Sequence, residues 1–250
     1  MPAKPSRTPA APAAADAHTE RTKPRHMNTL TIPVGAYAAN CHIVWDDDGA
    51  AFAVDPGAEA PRIAAVLRER GLRLAAVLLT HGHADHMSAL ADLLAAVPAP
   101  WHMHAADAAW AFSERNEFPP YRVPHEAPPG FVAAGEGSVV EAGTLRATAL
   151  HTPGHTPGGL CWLVGDLRDS DLPPSARGDV AERQGGVLLS GDTLFAGSIG
   201  RTDFPGGDMA AMGRSLRRLR ALPPSLRVLA GHGPDTDIAT ELRHNPFLQD

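Results

Sequence analysis

Residues 74–86 read Leu-Ala-Ala-Val-Leu-Leu-Thr-His-Gly-His-Ala-Asp-His. The first six form a continuous apolar run of strand length, which fits a strand covered on both faces. After Thr80 come side chains able to bind a metal, at His81, His83, Asp85 and His86. Imidazole combined with carboxylate suits zinc and related divalent ions. Because His81 and His83 are two positions apart, they cannot share a helical face, so the helical HExxH arrangement is excluded and a turn wrapped around an ion is expected. Gly82 and Ala84 keep that turn uncluttered.

Upstream, Leu30 to Val34, Cys41 to Trp45 and Ala51 to Val54 are short segments separated by Gly, Asn and Asp, and read as a strand meander. Glu59 to Arg70 repeats Ile63, Val66 and Leu67 at helical spacing, with Pro61 in the first turn and Gly71 at the stop. Downstream, a helix is expected from His86 to Val97, a strand at Trp101 to Met103 and a helix over Ala105 to Phe112. The Pro-rich stretch from Ser113 to Gly130 reads as a long loop. Further strands are expected near Ser138 to Glu141, Leu145 to Leu150, Leu160 to Val164, Val187 to Leu189 and Arg227 to Ala230. A helix from Asp208 to Leu219 should turn Met209, Met212, Leu216 and Leu219 inward. Two groups of strands with helices outside imply an α/β, αββα sandwich of two mixed sheets.

The chain of 250 residues is long enough to bury one large core without disulfides. Cys41 and Cys161 each sit in an apolar run and read as buried reduced thiols, which points to the cytoplasm. Residues 1–26 are rich in Ala, Pro, Thr and charge, lack the apolar core of a signal peptide, and read as a disordered tail before a single domain over 27–250. Residues 166–186 read as a mobile insertion between two strands. No run has the length of a membrane span. The net charge of −6, from 22 basic and 28 acidic side chains, gives no general attraction for nucleic acid. A small-molecule substrate is the remaining expectation.

Three later residues sit at the ends of expected strands beside glycine or proline: His155 in His151-Thr152-Pro153-Gly154-His155-Thr156, Asp192 in Ser190-Gly191-Asp192-Thr193, and His232 in Gly231-His232-Gly233. Asp55, in Val54-Asp55-Pro56-Gly57, ends an early strand, where it serves either as a turn residue or as an acceptor for a ligating imidazole.

The HxHxDH block followed by a histidine, the aspartate of Gly191-Asp192-Thr193 and the histidine of Gly231-His232-Gly233 resembles the metallo-β-lactamase superfamily. Within it, Gly191-Asp192-Thr193-Leu194-Phe195, Gly200-Arg201-Thr202-Asp203-Phe204 and Gly231-His232-Gly233-Pro234 resemble glyoxalase II-like (hydroxyacylglutathione hydrolase-like) enzymes. The resemblance runs from Met27 to Leu248. It implies one divalent metal on His81, His83 and His155, a second on Asp85, His86 and His232, and Asp192 bridging them. Asp85 would also orient the nucleophile. Zinc is the first expectation, with iron or manganese as alternatives. A water shared by the two ions, its pKa lowered from about 15.7 toward about 7, would attack the carbonyl of a small thioester, or of a lactone or other ester. Glyoxalase II itself carries a helical C-terminal domain that helps hold glutathione, and the chain ends soon after His232, so another low-molecular-weight thiol is also expected as carrier. Persulfide dioxygenases share the fold and a similar Gly-Arg-Thr-Asp-Phe stretch. They use one iron, which here would sit on His81, His155 and Asp192. His232, which completes a second site, favours the hydrolase.

Overall fold

Alternation along the strands sorts the side chains into three apolar layers, and those layers define the architecture. A computed structural model describes residues 26–166 and 186–249. The expected tail and insertion lie, apart from their boundary residues, outside the described residues. One sheet has the order β1 (Met27–Val34), β2 (Ala39–Asp46), β3 (Ala50–Val54), β4 (Arg73–Leu78), β5 (Trp101–His104), β6 (Phe131–Ala134). Its first three strands are antiparallel, and β3 to β6 run parallel. The second sheet has the order β12 (Thr236–Asp237), β11 (Arg227–Ala230), β10 (Val187–Gly191), β9 (Leu160–Asp166), β8 (Leu145–His151), β7 (Val139–Ala142), with only the β10–β11 pair parallel.

Phe52, Val54 and Leu78 of the first sheet meet Leu160, Trp162, Val164, Leu189 and Leu229 of the second in a core between the sheets. The opposite sides of the same strands carry Ile43, Ala53 and Val77. These pack under α1 (Ala60–Glu69), α3 (Leu90–Ala96) and α4 (Ala105–Ala111) through Ile63, Leu67, Leu93 and Ala111. Cys161, Leu163 and Leu188 face outward on the second sheet, under Met212, Leu216 and Leu219 of α5 (Met209–Leu219) and Ile238 of α6 (Ile238–His244). The result is the expected helix–sheet–sheet–helix sandwich. Trp162, fully buried in β9, donates its indole N–H to the Leu79 carbonyl of the opposite sheet at 3.1 Å.

Two local readings are corrected, and three elements carry no signal in the sequence. The helix expected from His86 to Val97 is two pieces, α2 (Ala84–Met87) and α3. The Ala89 N–H leaves the helical ladder to bond the Pro56 carbonyl at 3.1 Å. Met209 is 51% exposed rather than inward, because it follows the Asp208 cap on the side facing Thr202. The edge strand β6 was not anticipated, since three of its four residues are exposed and show no alternation. Nor were β12 and α6, both too short for periodicity to register.

Trp162→Phe keeps an aromatic ring in the core but leaves the Leu79 carbonyl without its donor. It should lower the unfolding free energy by about 1–3 kcal/mol. Urea unfolding checks this, and an unchanged midpoint would show that the indole bond is dispensable.

Candidate metal centre

β3, β4, β10 and β11 all finish at the same rim of the sandwich, and the segments that follow them carry the chemistry, as is usual at the carboxyl ends of open sheets. Asp55 follows β3, the His81–His86 block follows β4, His155 lies in the loop between β8 and β9, Asp192 follows β10 and His232 follows β11. Two triads gather there with donor atoms within 4.8 Å of one another: His81, His83 and His155, and Asp85, His86 and His232. The second draws Asp85 and His86 from α2. Asp192 lies between the triads, with Oδ1 3.4 Å from His86 Nε2 and Oδ2 3.5 Å from His155 Nε2 and 3.8 Å from His232 Nε2. Gly231 permits this approach, because a Cβ there would collide with Asp192 Oδ1 and sit 2.9 Å from His86 Cε1. All seven residues of the expected ligand set thus share one rim.

Outer hydrogen bonds fix the imidazole tautomers. Thr80 donates its hydroxyl to Asp55 Oδ2 at 2.6 Å, so its oxygen accepts from His81 Nδ1 at 3.0 Å. His155 Nδ1 donates to the Arg201 carbonyl at 2.7 Å and His232 Nδ1 to the Tyr37 carbonyl at 3.2 Å. His86 Nδ1 donates to Asp55 Oδ2 at 3.1 Å. Each of these rings in its neutral form therefore aims an Nε2 lone pair into the cluster. His81 Nε2 and Asp192 Oδ1 are buried there without a hydrogen-bond partner, and His86 Nε2 and His232 Nε2 face each other at 3.1 Å. Lone pairs converging in this way repel unless a cation or a proton lies between them, so the residues fit divalent metal ions.

The electrostatics lead to the same result. Burial, reinforced by the neighbouring His86 and His155, holds His81 well below the ordinary histidine range. Burial and His155 push His83 down to about 3. Both rings are therefore neutral and free to ligate near pH 7. Burial also opposes charge on His86, but Asp192, Asp85 and Asp55 outweigh it and raise that ring to about 10. For Asp85, burial works upward, but His86 and His232 hold the carboxyl well below the usual carboxylate range. Asp192, Asp85 and Asp55 thus favour positive charge at this rim, which either a proton on His86 or a divalent cation can supply.

A third group, Asp55, His81 and His86, also lies within 4.8 Å. Its carboxylate is already engaged by the Thr80 N–H (2.7 Å), the Thr80 hydroxyl and His86 Nδ1, so Asp55 orients imidazoles rather than closing a separate ion site. Asp55 thus fills both roles open to it in the sequence, since its carbonyl also accepts from the Gly57 N–H at 2.9 Å in the turn after β3. His42 is satisfied by the Ala230 carbonyl. His151 bonds the Pro157 carbonyl and stacks on His104 at 4.3 Å, so it touches the loop of His155 rather than His155 itself. Two polar residues with no sequence signal also belong to the site. Asp107 is fully buried and accepts from Gly82, Thr156 and Gly158, and burial lifts its carboxyl above the ordinary range. Asn116 is buried between Gly82, Ala84 and Ala111.

A two-sheet α/β sandwich with a three-histidine triad beside an Asp/His/His triad at one rim defines the class, a metal-binding member of a hydrolase fold. The family model for the metallo-beta-lactamase superfamily matches residues 34–169 and 172–232, and the chain belongs to that superfamily. It is 34% identical over 234 residues to the hydroxyacylglutathione hydrolase GloC of Haemophilus influenzae, covering 89% of this chain and 98% of that one. Among solved structures, the BLEG-1 B3 metallo-beta-lactamase superposes with a TM-score of 0.72 at 31% identity, covering 89% of this chain and 100% of the other. A protein crystallised in a di-iron-bound form gives a TM-score of 0.67 at 33% identity, covering 88% and 100%.

Asp55→Asn replaces an acceptor shared by Thr80 and His86 with a group that also donates. Metal affinity should fall about 10–100-fold while the fold persists. Chelator competition measures this, and wild-type affinity in the variant would remove Asp55 from the site.

Proposed function

We propose that the chain is a binuclear metal-dependent hydrolase of small thioesters, with a hydroxyacyl-thiol as the first substrate to test. The observation that carries this reading is the second triad, Asp85, His86 and His232, standing complete beside the first. His81, His83 and His155 would hold one ion, Asp85, His86 and His232 the other, and Asp192 would touch both. Divalent ions there would supply Lewis acidity, lowering the pKa of a water toward about 7 and polarising a carbonyl.

The chain's own residues do the rest. Asp85, kept ionised, orients the attacking water and can accept its hydrogen bond. Trp110 and Phe204 lie 5.5 and 5.7 Å from the His83 ring, and Phe195 lies 6.1 Å from His232, so apolar surface flanks the polar centre and suits an acyl chain and a sulfur leaving group. Cys41 and Cys161 take no part as nucleophiles, because both are buried and burial pushes both thiols up, Cys161 to about 11. Their unpaired state supports a reducing, cytoplasmic setting. No helix among the described residues is long and apolar enough to cross a membrane. Glutathione is the first carrier to test, given the name of the Haemophilus relative. Zinc is the first metal to test, and the di-iron-bound form of a neighbour supports testing iron next.

Two experiments test the reading. Zinc-loaded protein should cleave an S-acyl thiol without oxygen, since hydrolysis involves no redox change. Iron-dependent oxygen uptake with a persulfide, one metal per chain and no cleavage by the zinc form would establish the dioxygenase instead. In the second experiment, Asp192→Ala should lower the occupancy of both metals and His232→Ala mainly that of one, read by metal analysis of the purified variants. Unchanged stoichiometry in Asp192→Ala would remove it from the bridging position.

A further inference from the structure

Asp107 lies on α4, a helix that contributes no residue to either triad, and it is fully buried. Its Oδ2 accepts from the Gly82 N–H at 2.9 Å and the Thr156 hydroxyl at 2.7 Å, and its Oδ1 accepts from the Gly158 N–H at 2.7 Å. Gly82 separates His81 from His83, and Thr156 follows His155. One carboxylate therefore spans the two loops that bring these three imidazoles together. The packing leaves little slack, since a Cβ at Gly158 would lie 2.7 Å from Asp107 Cγ. Asn116 grips the other side of the same turn, donating to the Gly82 carbonyl at 2.7 Å and accepting from the Ala84 N–H at 3.1 Å.

We propose that Asp107 is a positioning residue for the metal site made by His81, His83 and His155, setting the separation of the loop before His83 from the loop after His155. The inference rests on the two-metal reading above. The hydrogen bonds to Asp107 come from Gly82, Thr156 and Gly158, whereas His86 of the other triad is oriented by Asp55. A buried carboxylate fed by three donors fixes distances between backbones in a way that an apolar residue of similar volume does not. Ligand rings held to a few tenths of an ångström by such partners bind metal more tightly.

The test uses the full chain loaded with cobalt(II), whose absorption reports ligand geometry, with chelator competition resolving the two affinities. Asp107→Asn keeps one oxygen for Gly82 and Thr156 but sets an amide donor against the Gly158 N–H. Affinity at the three-histidine site should fall about 10–100-fold while the Asp85/His86/His232 site keeps its wild-type affinity. Hydrogen exchange at the Gly158 amide should accelerate in parallel. Thr156→Val removes a single donor and should weaken the same site by a smaller factor. This second variant decides the matter if Asp107→Asn does not fold. Equal weakening of both sites would reduce Asp107 to a general strut and overturn the proposal, as would wild-type affinity at the three-histidine site in both variants. The two-metal reading fails separately, on wild-type protein that takes up a single metal. The Asp107 comparison at the three-histidine site still stands in that case.

Discussion

The Asp55 carboxylate, buried where β3 and β4 end side by side, is the constraint on which the rest of the site depends. It accepts from the Thr80 N–H and hydroxyl and from His86 Nδ1, and through Thr80 it sets the tautomer of His81. One buried anion thus aligns imidazoles from both triads and locks the turn that follows β4 to the turn that follows β3. Asp55 adopts a left-handed backbone (φ 52°), an uncommon conformation for a residue with a side chain, which turns the chain sharply toward α1. Strain of this kind persists only where surrounding contacts over-determine it, and the three hydrogen bonds to Asp55 supply those contacts.

The sandwich supplies what the loops cannot supply for themselves. Three apolar layers hold β3, β4, β10 and β11 in fixed register, so their ends meet at one rim regardless of the loop sequences. The Trp162 bond to Leu79 crosses the interface just before the metal-binding turn begins, tying the position of that turn to the opposite sheet. Asp192, which belongs to the second sheet, then meets His86, which belongs to the first, at 3.4 Å. The centre is therefore an inter-sheet object, and its geometry inherits the rigidity of the core between the sheets.

Much of this was legible in the sequence because metal chemistry leaves dense local signals. His81, His83, Asp85 and His86 fall within one short stretch and stand out by spacing, whereas His155, Asp192 and His232 stand beside glycine or proline at strand ends and take their roles from the family resemblance. The fully buried β3 and the buried C-terminal half of β4 announced themselves as apolar runs. What escaped was whatever lacks periodicity or clustering. The exposed edge strand β6 and the seven-residue α6 carry too few buried positions to generate a pattern. The break between α2 and α3 arises from a tertiary bond, Ala89 to Pro56, that no local propensity encodes. Asp107 and Asn116 are isolated polar residues on or beside a short helix, and only folding brings them under the Gly82 turn.

The contrast between Asp55 and Asp107 shows why sequence patterns find ligands more readily than the residues that aim them. A ligand must present a particular atom at a particular strand end, which restricts both residue type and position. A residue that orients a ligand needs only an acceptor at the right place in space, and can come from any element that passes nearby. Burying such carboxylates is unfavourable for stability taken alone, since apolar side chains of similar volume often serve a core as well or better. Asp55 and Asp107 sit 1% and 0% exposed beneath the two halves of the centre, each saturated with donors drawn from the ligand-bearing loops. Their placement makes sense as precision in the site rather than as stabilisation of the fold, and the apolar layers between and outside the sheets are what make that desolvation tolerable.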